Sequence, residues 1–176
     1  HADMNTPLTS PSKNYHGMPL ATSMYVGPKE MRSLGVDKRK VKPTDTFLVG
    51  VRNMDPGETE FKDNQGVNHY TISFIRKRGM AVVADEIIET LRKNGVDKIH
   101  FSFDLDSLSP EVTSAYNCPV PDGIAMEELI TFIEHLFGSG KVCSMDFTEY
   151  NPLLDQDKKG INACKTIFNT IAKSMK

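Results

Sequence analysis

The feature that most constrains this chain is an alternation. Short, nearly continuous apolar runs are separated by segments with a helical period. The runs are Phe47-Leu48-Val49-Gly50-Val51, Lys98-Ile99-His100-Phe101-Ser102-Phe103 and Lys141-Val142-Cys143-Ser144-Met145, with a weaker one at Asn68-His69-Tyr70-Thr71-Ile72. Runs apolar on both faces suit strands buried between helices, as in a parallel sheet. Between them, Val83, Ile87, Ile88 and Leu91 share one face of a helix predicted over 80–94, which Asn94-Gly95 stops. Leu129, Ile130, Ile133 and Leu136 do the same over 126–137, closed by Gly138. From about 157 to the end, Ile161, Cys164, Ile167, Phe168 and Ile171 form a third stripe. The stripes read as core and carry no chemistry. Strand–helix repeated three times predicts an α/β doubly wound parallel sheet with helices on both faces and right-handed crossovers. Ligands in such sheets bind beyond the carboxyl ends of the strands.

A chain of 176 residues with 39% hydrophobic and 25% charged residues suits one domain, read here as 1–176. A net charge of −2 with no basic face argues against nucleic acid as a partner. No run approaches the ~20 apolar residues of a membrane span. Cys118, Cys143 and Cys164 are scattered, with no CxxC pair, and read as reduced thiols; Cys143 and Cys164 read as packing or surface residues. The chain opens on His1, already dense in ligand-type side chains, with nothing like a signal peptide. We therefore expect a protein whose front, including its N-terminal strands, lies outside this sequence.

Polar clusters fall at the ends of the apolar runs: Asp104 and Asp106 after 99–103, Asp146 and Glu149 after 142–145, and Arg52-Asn53-Met54-Asp55 after 47–51. Carboxylates from several strand ends stay ionised together only where a cation compensates them. An extended Asp104-Leu105-Asp106 would send both side chains to one side. The same spacing recurs in His1-Ala2-Asp3. Imidazole with carboxylates and no thiolate suits Mn²⁺ or a similar borderline ion, Zn²⁺ and Fe²⁺ among them.

Six segments in order then carry a resemblance. His1-Ala2-Asp3-Met4-Asn5-Thr6-Pro7 comes first, followed by Asn14-Tyr15-His16-Gly17 and by Val49-Gly50-Val51-Arg52-Asn53-Met54-Asp55-Pro56-Gly57-Glu58. Ser102-Phe103-Asp104-Leu105-Asp106-Ser107-Leu108-Ser109-Pro110, Pro119-Val120-Pro121-Asp122-Gly123 and Asp146-Phe147-Thr148-Glu149-Tyr150-Asn151-Pro152 complete the series. Together these resemble the signature segments of the arginase (ureohydrolase) family.

The resemblance implies a binuclear manganese hydrolase that converts L-arginine to L-ornithine and urea, by attack of a metal-bridging hydroxide on the guanidinium carbon. His1 would bind one Mn²⁺ and Asp3 the other, with Asp104 bridging and Asp106 completing the shell on the side of His1. Asp3 would also hold the hydroxide, Glu149 would orient the guanidinium, and His16 would shuttle a proton to the leaving amine. Asn5, Ser12 and Asn14 would read the α-carboxylate, and Asp55 and Glu58 the α-amino group. Agmatine, lacking an α-carboxylate, would not need this polar loop. A homo-oligomer, a trimer by analogy, and a cytoplasmic or mitochondrial setting follow from the same likeness.

Three departures qualify the match. The family's first metal motif reads Asp-x-His-x-Asp and this chain begins at the His, so neither coordination shell would be complete within 1–176 and no urea release is expected from it alone. Asn117-Cys118-Pro119 stands where the family has Gly-Thr-Pro beside the guanidinium, with a thiol as the weaker hydrogen-bond partner. The sequence stops soon after its last predicted helix, so a C-terminal tail of the kind that would reinforce a trimer is not expected within it. A truncated non-catalytic paralogue acting by interaction, and an agmatinase-type guanidino hydrolase, are the competing readings. His69, His100 and His135 fall outside the motifs; His100 and His135 read as structural.

Overall fold

The computed structural model describes residues 1–175, which form two compact units, one from His1 to Tyr70 and the other from Thr71 onward. In the first, a 3₁₀ turn (Tyr15–Gly17) leads into helices α1 (Pro19–Ser23) and α2 (Lys29–Arg32). A second 3₁₀ turn (Pro43–Asp45) precedes strand β1 (Phe47–Val49), helix α3 (Pro56–Gln65) and strand β2 (Asn68–Tyr70). The strands β1 and β2 pair in parallel with Leu48 opposite His69. The connection through α3 is the βαβ crossover that a parallel pair requires. Ala2, Met4, Met24, Leu48 and Val67 form the core of this unit, and Leu20, Val41, Val51, Met54 and Phe61 pack around it.

Helix α3 is absent from the predicted elements because its body, Glu58 to Gln65, is mostly polar and shows little apolar stripe. Local chemistry defines it instead. Pro56 occupies the first turn, where its missing N–H is harmless, and Gly66 ends it in the left-handed region at φ 72°.

The second unit runs α4 (Ile72–Arg78), α5 (Met80–Lys93), β3 (Ile99–Asp104), a 3₁₀ turn (Leu105–Ser107), α6 (Met126–Gly138), β4 (Val142–Thr148), a 3₁₀ turn (Pro152–Leu154) and α7 (Lys159–Ser174). Helices α5, α6 and α7 fall within about two residues of their predicted limits. Their stripes are buried where expected: Val83, Ile87 and Leu91; Leu129, Ile133 and Leu136; Cys164, Ile167 and Ile171. Ile88, Ile130 and Ile161 of the same stripes are only half-buried, and Phe168 is exposed but stacks on Phe147 of β4 at 5.2 Å. Helix α4 begins where the weak strand was expected to continue. Thr71 stops that strand by capping the helix, its hydroxyl accepting from the Phe74 amide at 3.2 Å.

Strands β3 and β4 are parallel, with Phe103 opposite Phe147 and Asp104 opposite Thr148. Among the described residues all strand pairing is parallel, as the alternation predicts, and the architecture is α/β. The two faces of this pair differ, which the continuous apolar runs do not suggest. Phe101 and Phe103 pack with Phe132, Phe137 and Phe147 on the helix side. His100 and Ser102 face the other way. There His100 bonds the Ser144 hydroxyl and an Asp146 oxygen, both at 2.9 Å, and Ser102 donates to Asp146 at 2.7 Å. His100 is therefore a cross-strand tie, and His135 similarly bonds Asp85 at 3.0 Å. All three cysteines are free thiols. Among the described residues no helix is long and apolar enough to cross a membrane.

Candidate functional site

In the first unit, Ala2 and Met4 are buried in the core while His1 and Asp3, which alternate with them, are half-buried. Asp3 adopts φ 54°, a left-handed conformation unusual for a residue with a side chain. Its carbonyl accepts from the Leu20 and Ala21 amides at 3.0 and 3.3 Å, at the start of α1.

Next to it lies a closed hydrogen-bond circuit. The buried Glu58 takes the Met4 amide on one carboxylate oxygen and the Asp55 amide on the other, both at 2.9 Å. Asn5, also buried, donates from Nδ2 to Asp55 Oδ2 at 2.8 Å. Asn5 from one motif, and Asp55 and Glu58 from another, are thus brought together. Each Glu58 oxygen keeps a second lone pair, and Asn5 keeps a second N–H.

Ser12, Asn14 and His16 lie on the exposed stretch that follows, His16 in the Tyr15–Gly17 turn. The Asn14 amide donates to the Ser12 hydroxyl at 3.3 Å.

In the second unit, Asp104 is the last residue of β3. The chain does not continue extended through Asp106, contrary to expectation. Leu105 and Leu108, both fully buried, draw it into a 3₁₀ turn instead. Asp104 Oδ1 caps that turn by accepting the Asp106 amide at 3.0 Å. The two carboxyls are still neighbours, through the turn rather than the pleat. Burial, and after it the charge of Asp106, push the Asp104 carboxyl up to about 7. Beneath the turn, Ser109 N donates to Ile124 O at 2.9 Å and Ile124 N to Ser107 O at 3.0 Å, with Gly123 packed against Leu108.

Glu149 directly follows β4 at φ 66° and is exposed. The residues after it are pinned. Asn151 donates from its amide to Ala115 O at 2.8 Å and from Nδ2 to Asn117 Oδ1 at 3.0 Å, beside the exposed Cys118. Tyr150 donates to Asp155 at 3.0 Å, and Asp155 also accepts the Gly160 and Ile161 amides at 2.7 and 2.8 Å. Burial would raise the Asp155 carboxyl, but these three donors outweigh it and hold it below the usual range. A side chain at Gly160 would meet Ala115 Cβ at 2.6 Å. Asp155, Gly160, Thr9 and Gly57 were not singled out from sequence. The only cue for Asp155 and Gly160 is their position just before and within the start of a helix.

In chemical terms, Asp104 and Asp106 are hard oxygen donors whose mutual repulsion a divalent cation would relieve. The Asn5–Asp55–Glu58 group presents amide donors and carboxylate acceptors together, the complement of an amino acid's charged end.

The arginase family matches residues 1–172. Arginase from Entamoeba histolytica is 37% identical over 169 residues, covering 95% of this chain and 55% of that protein. The arginase structure from Bacillus caldovelox superposes with a TM-score of 0.93 at 35% identity, covering 97% of this chain and 57% of that one. The Entamoeba histolytica arginase in complex with L-ornithine gives 0.89 at 34%, covering 98% and 57%. The chain spans little more than half the length of these relatives, and over that span its fold is theirs. With a family match along nearly its whole length, this chain belongs to the arginase family.

Proposed function

We propose that this chain serves in a binuclear manganese hydrolase that converts L-arginine to L-ornithine and urea, and that residues 1–176 are part of one catalytic domain. The observation that carries the reading is the Asp104–Asp106 pair at the carboxyl end of β3, where Asp104 Oδ1 accepts the Asp106 amide at 3.0 Å and a 3₁₀ turn keeps the two carboxyls neighbours. Such a pair fits an oxygen-ligated divalent cation. His1 and Asp106 would hold one Mn²⁺ and Asp3 the other, with Asp104 shared. When bound, the metal pair supplies the lowered pKa of a water and the electrostatic stabilisation of developing negative charge.

The protein's own groups do the rest. Glu149 accepts N–H bonds from the guanidinium and fixes its plane. His16 is exposed and so exchanges protons with solvent as it delivers one to the leaving amine. Asn5, Ser12 and Asn14 donate to the α-carboxylate, while Asp55 and Glu58 accept from the α-amino group. Cys118 lines the guanidinium end.

The test is urea release by the full-length protein from L-arginine and from agmatine, with and without Mn²⁺. Mn²⁺-dependent turnover with a clear preference for L-arginine is expected. Absence of metal-dependent urea release would sink the reading, and a preference for agmatine would reassign the substrate.

A further inference from the structure

We propose that Thr9, with Gly57 behind it, is a positioning residue that sets the orientation of the Asn5 amide and thereby the preference for an α-amino-acid substrate. The proposal rests on the function above. Its geometry stands independently.

The orientation of a side-chain amide is decided by its partners. Asp55 is a carboxylate and only accepts, so the 2.8 Å contact obliges Asn5 to turn Nδ2 toward it. Oδ1 must then face Thr9, whose hydroxyl lies 2.9 Å away and donates. The Thr9 oxygen is itself the acceptor for the Thr6 amide at 2.8 Å, which leaves its hydrogen for Asn5. The Thr6 hydroxyl at 3.2 Å and the Thr6 carbonyl at 3.5 Å also lie within reach of the Thr9 hydroxyl, but Asn5 Oδ1 is its nearest acceptor, so the donors run Thr6 to Thr9, Thr9 to Asn5, Asn5 to Asp55.

Gly57 holds the Thr9 end of this sequence. A Cβ at Gly57 would lie 2.6 Å from Thr9 Cβ and 2.8 Å from Thr9 Cγ2, closer than side chains approach. Thr9 is therefore seated on the bare backbone of the second residue of α3. This couples the turn at 6–9 to the same helix start that carries Asp55 and Glu58. Gly57 has no positive φ, so glycine is required here by space and not by backbone conformation. Alanine at that position would otherwise favour the helix.

Removing the Thr9 hydroxyl leaves a buried Asn5 oxygen without its donor. The amide is then held by Asp55 alone, and its second N–H is no longer fixed where the substrate carboxylate needs a donor.

The experiment uses the full-length protein with Thr9→Val, which keeps the shape and removes the hydroxyl, Thr9→Ser, which keeps the hydroxyl, and Gly57→Ala, which displaces Thr9. Two readouts are taken: the ratio of kcat/KM for L-arginine to that for agmatine, and hydrogen-exchange protection of the Asn5 side-chain amide by NMR. Thr9→Val and Gly57→Ala should each lower the ratio about tenfold, through the KM for L-arginine. Both should also lose Asn5 protection. Thr9→Ser should stay within about twofold of wild type on both readouts. A wild-type ratio and wild-type protection in Thr9→Val, equal losses on both substrates, or a Thr9→Ser that behaves like Thr9→Val would each overturn the proposal. A wild-type protein that hydrolyses neither substrate refutes the assigned function instead, and the Asn5 protection pattern then still decides whether Thr9 and Gly57 fix the amide.

Discussion

Gly123→Ala puts a methyl group where the turn beneath Asp104 and Asp106 has no room for one. The added Cβ would lie 2.6 Å from Leu108 C, 2.6 Å from Ser109 N and 2.7 Å from Leu108 O. All three are backbone atoms, so no side chain can swing aside. Reaching ordinary contact at 3.4 Å means opening the gap by about 0.8 Å (3.4 minus 2.6). The bonds from Ser109 N to Ile124 O and from Ile124 N to Ser107 O span that gap at 2.9 and 3.0 Å, and both would be stretched out of range. Two lost hydrogen bonds cost about 2 kcal/mol together. Gly123 also sits at φ 135°, where any side chain adds strain of about 1–3 kcal/mol. The expected loss is thus about 3–5 kcal/mol. In urea unfolding followed by circular dichroism, the midpoint should fall by at least about 1 M at an unchanged slope. Gly138→Ala is the control. It ends α6, nothing lies within 4 Å of its added Cβ, and it should be neutral or stabilise by up to about 1 kcal/mol. A Gly123→Ala midpoint within about 0.2 M of wild type, at the usual slope of roughly 1–3 kcal/mol per M, would refute the reasoning.

Other consequences can be measured alongside. Asp104→Asn in the full-length protein should lose most of its bound Mn²⁺ by elemental analysis, because a neutral amide removes a charge and an anionic oxygen; full occupancy would take Asp104 out of the metal site. Asp55→Ala and Ser12→Ala should weaken L-arginine binding about tenfold or more while changing agmatine much less, and equal losses would mean that these residues only shape the loop. His69 should make stability fall in acid. Burial lowers its pKa below 6.5, and Nε2 must carry the proton it gives to Val51 O at 2.8 Å. Because the folded state then binds fewer protons, its contribution is complete above about pH 6.5 and is lost as pH falls below that value. His69→Gln should flatten this part of the unfolding-midpoint profile, and an unchanged acid slope would exclude His69 as its source.

The parts of the fold that could be read from sequence are those written in local periodicity. The stripes Val83–Ile87–Leu91 and Leu129–Ile133–Leu136 place α5 and α6 closely because a helix that buries one face must repeat its apolar residues on that face. Helix α3 buries little apolar surface and starts on caps, so periodicity misses it. The turn at Asp104–Asp106 escapes for a different reason. It depends on burial of Leu105 and Leu108 and on Gly123, which lies far along the chain, whereas a two-residue spacing alone favours an extended reading. The same holds for the first unit. Asn5, Asp55 and Glu58 stand in recognisable segments, but Thr9 looks like an ordinary turn residue until Gly57, some 50 positions later, is seen to make room for it.

The backbone itself marks two of the assigned positions. Asp3 and Glu149 are both non-glycine residues in the left-handed region, at φ 54° and 66°, a conformation that Asp tolerates better than Glu. Their neighbours hold it. After Asp3, the Met4 amide is tied to Glu58 and the Asn5 amide to Gly17 O at 3.0 Å, while the Asp3 carbonyl receives the first amides of α1. After Glu149, Tyr150 is anchored through Asp155 to the start of α7 and Asn151 is bonded to Ala115 and Asn117. In each case the chain on the far side of the strained residue is bound to a separate element, so relaxing φ would break several hydrogen bonds at once. A single left-handed residue reverses the direction in which the next side chain leaves the backbone, and at Glu149 it comes directly after the last residue of β4. The strain is therefore a property of the surrounding ties, and it puts a carboxylate at a strand end where regular extended backbone would not place one.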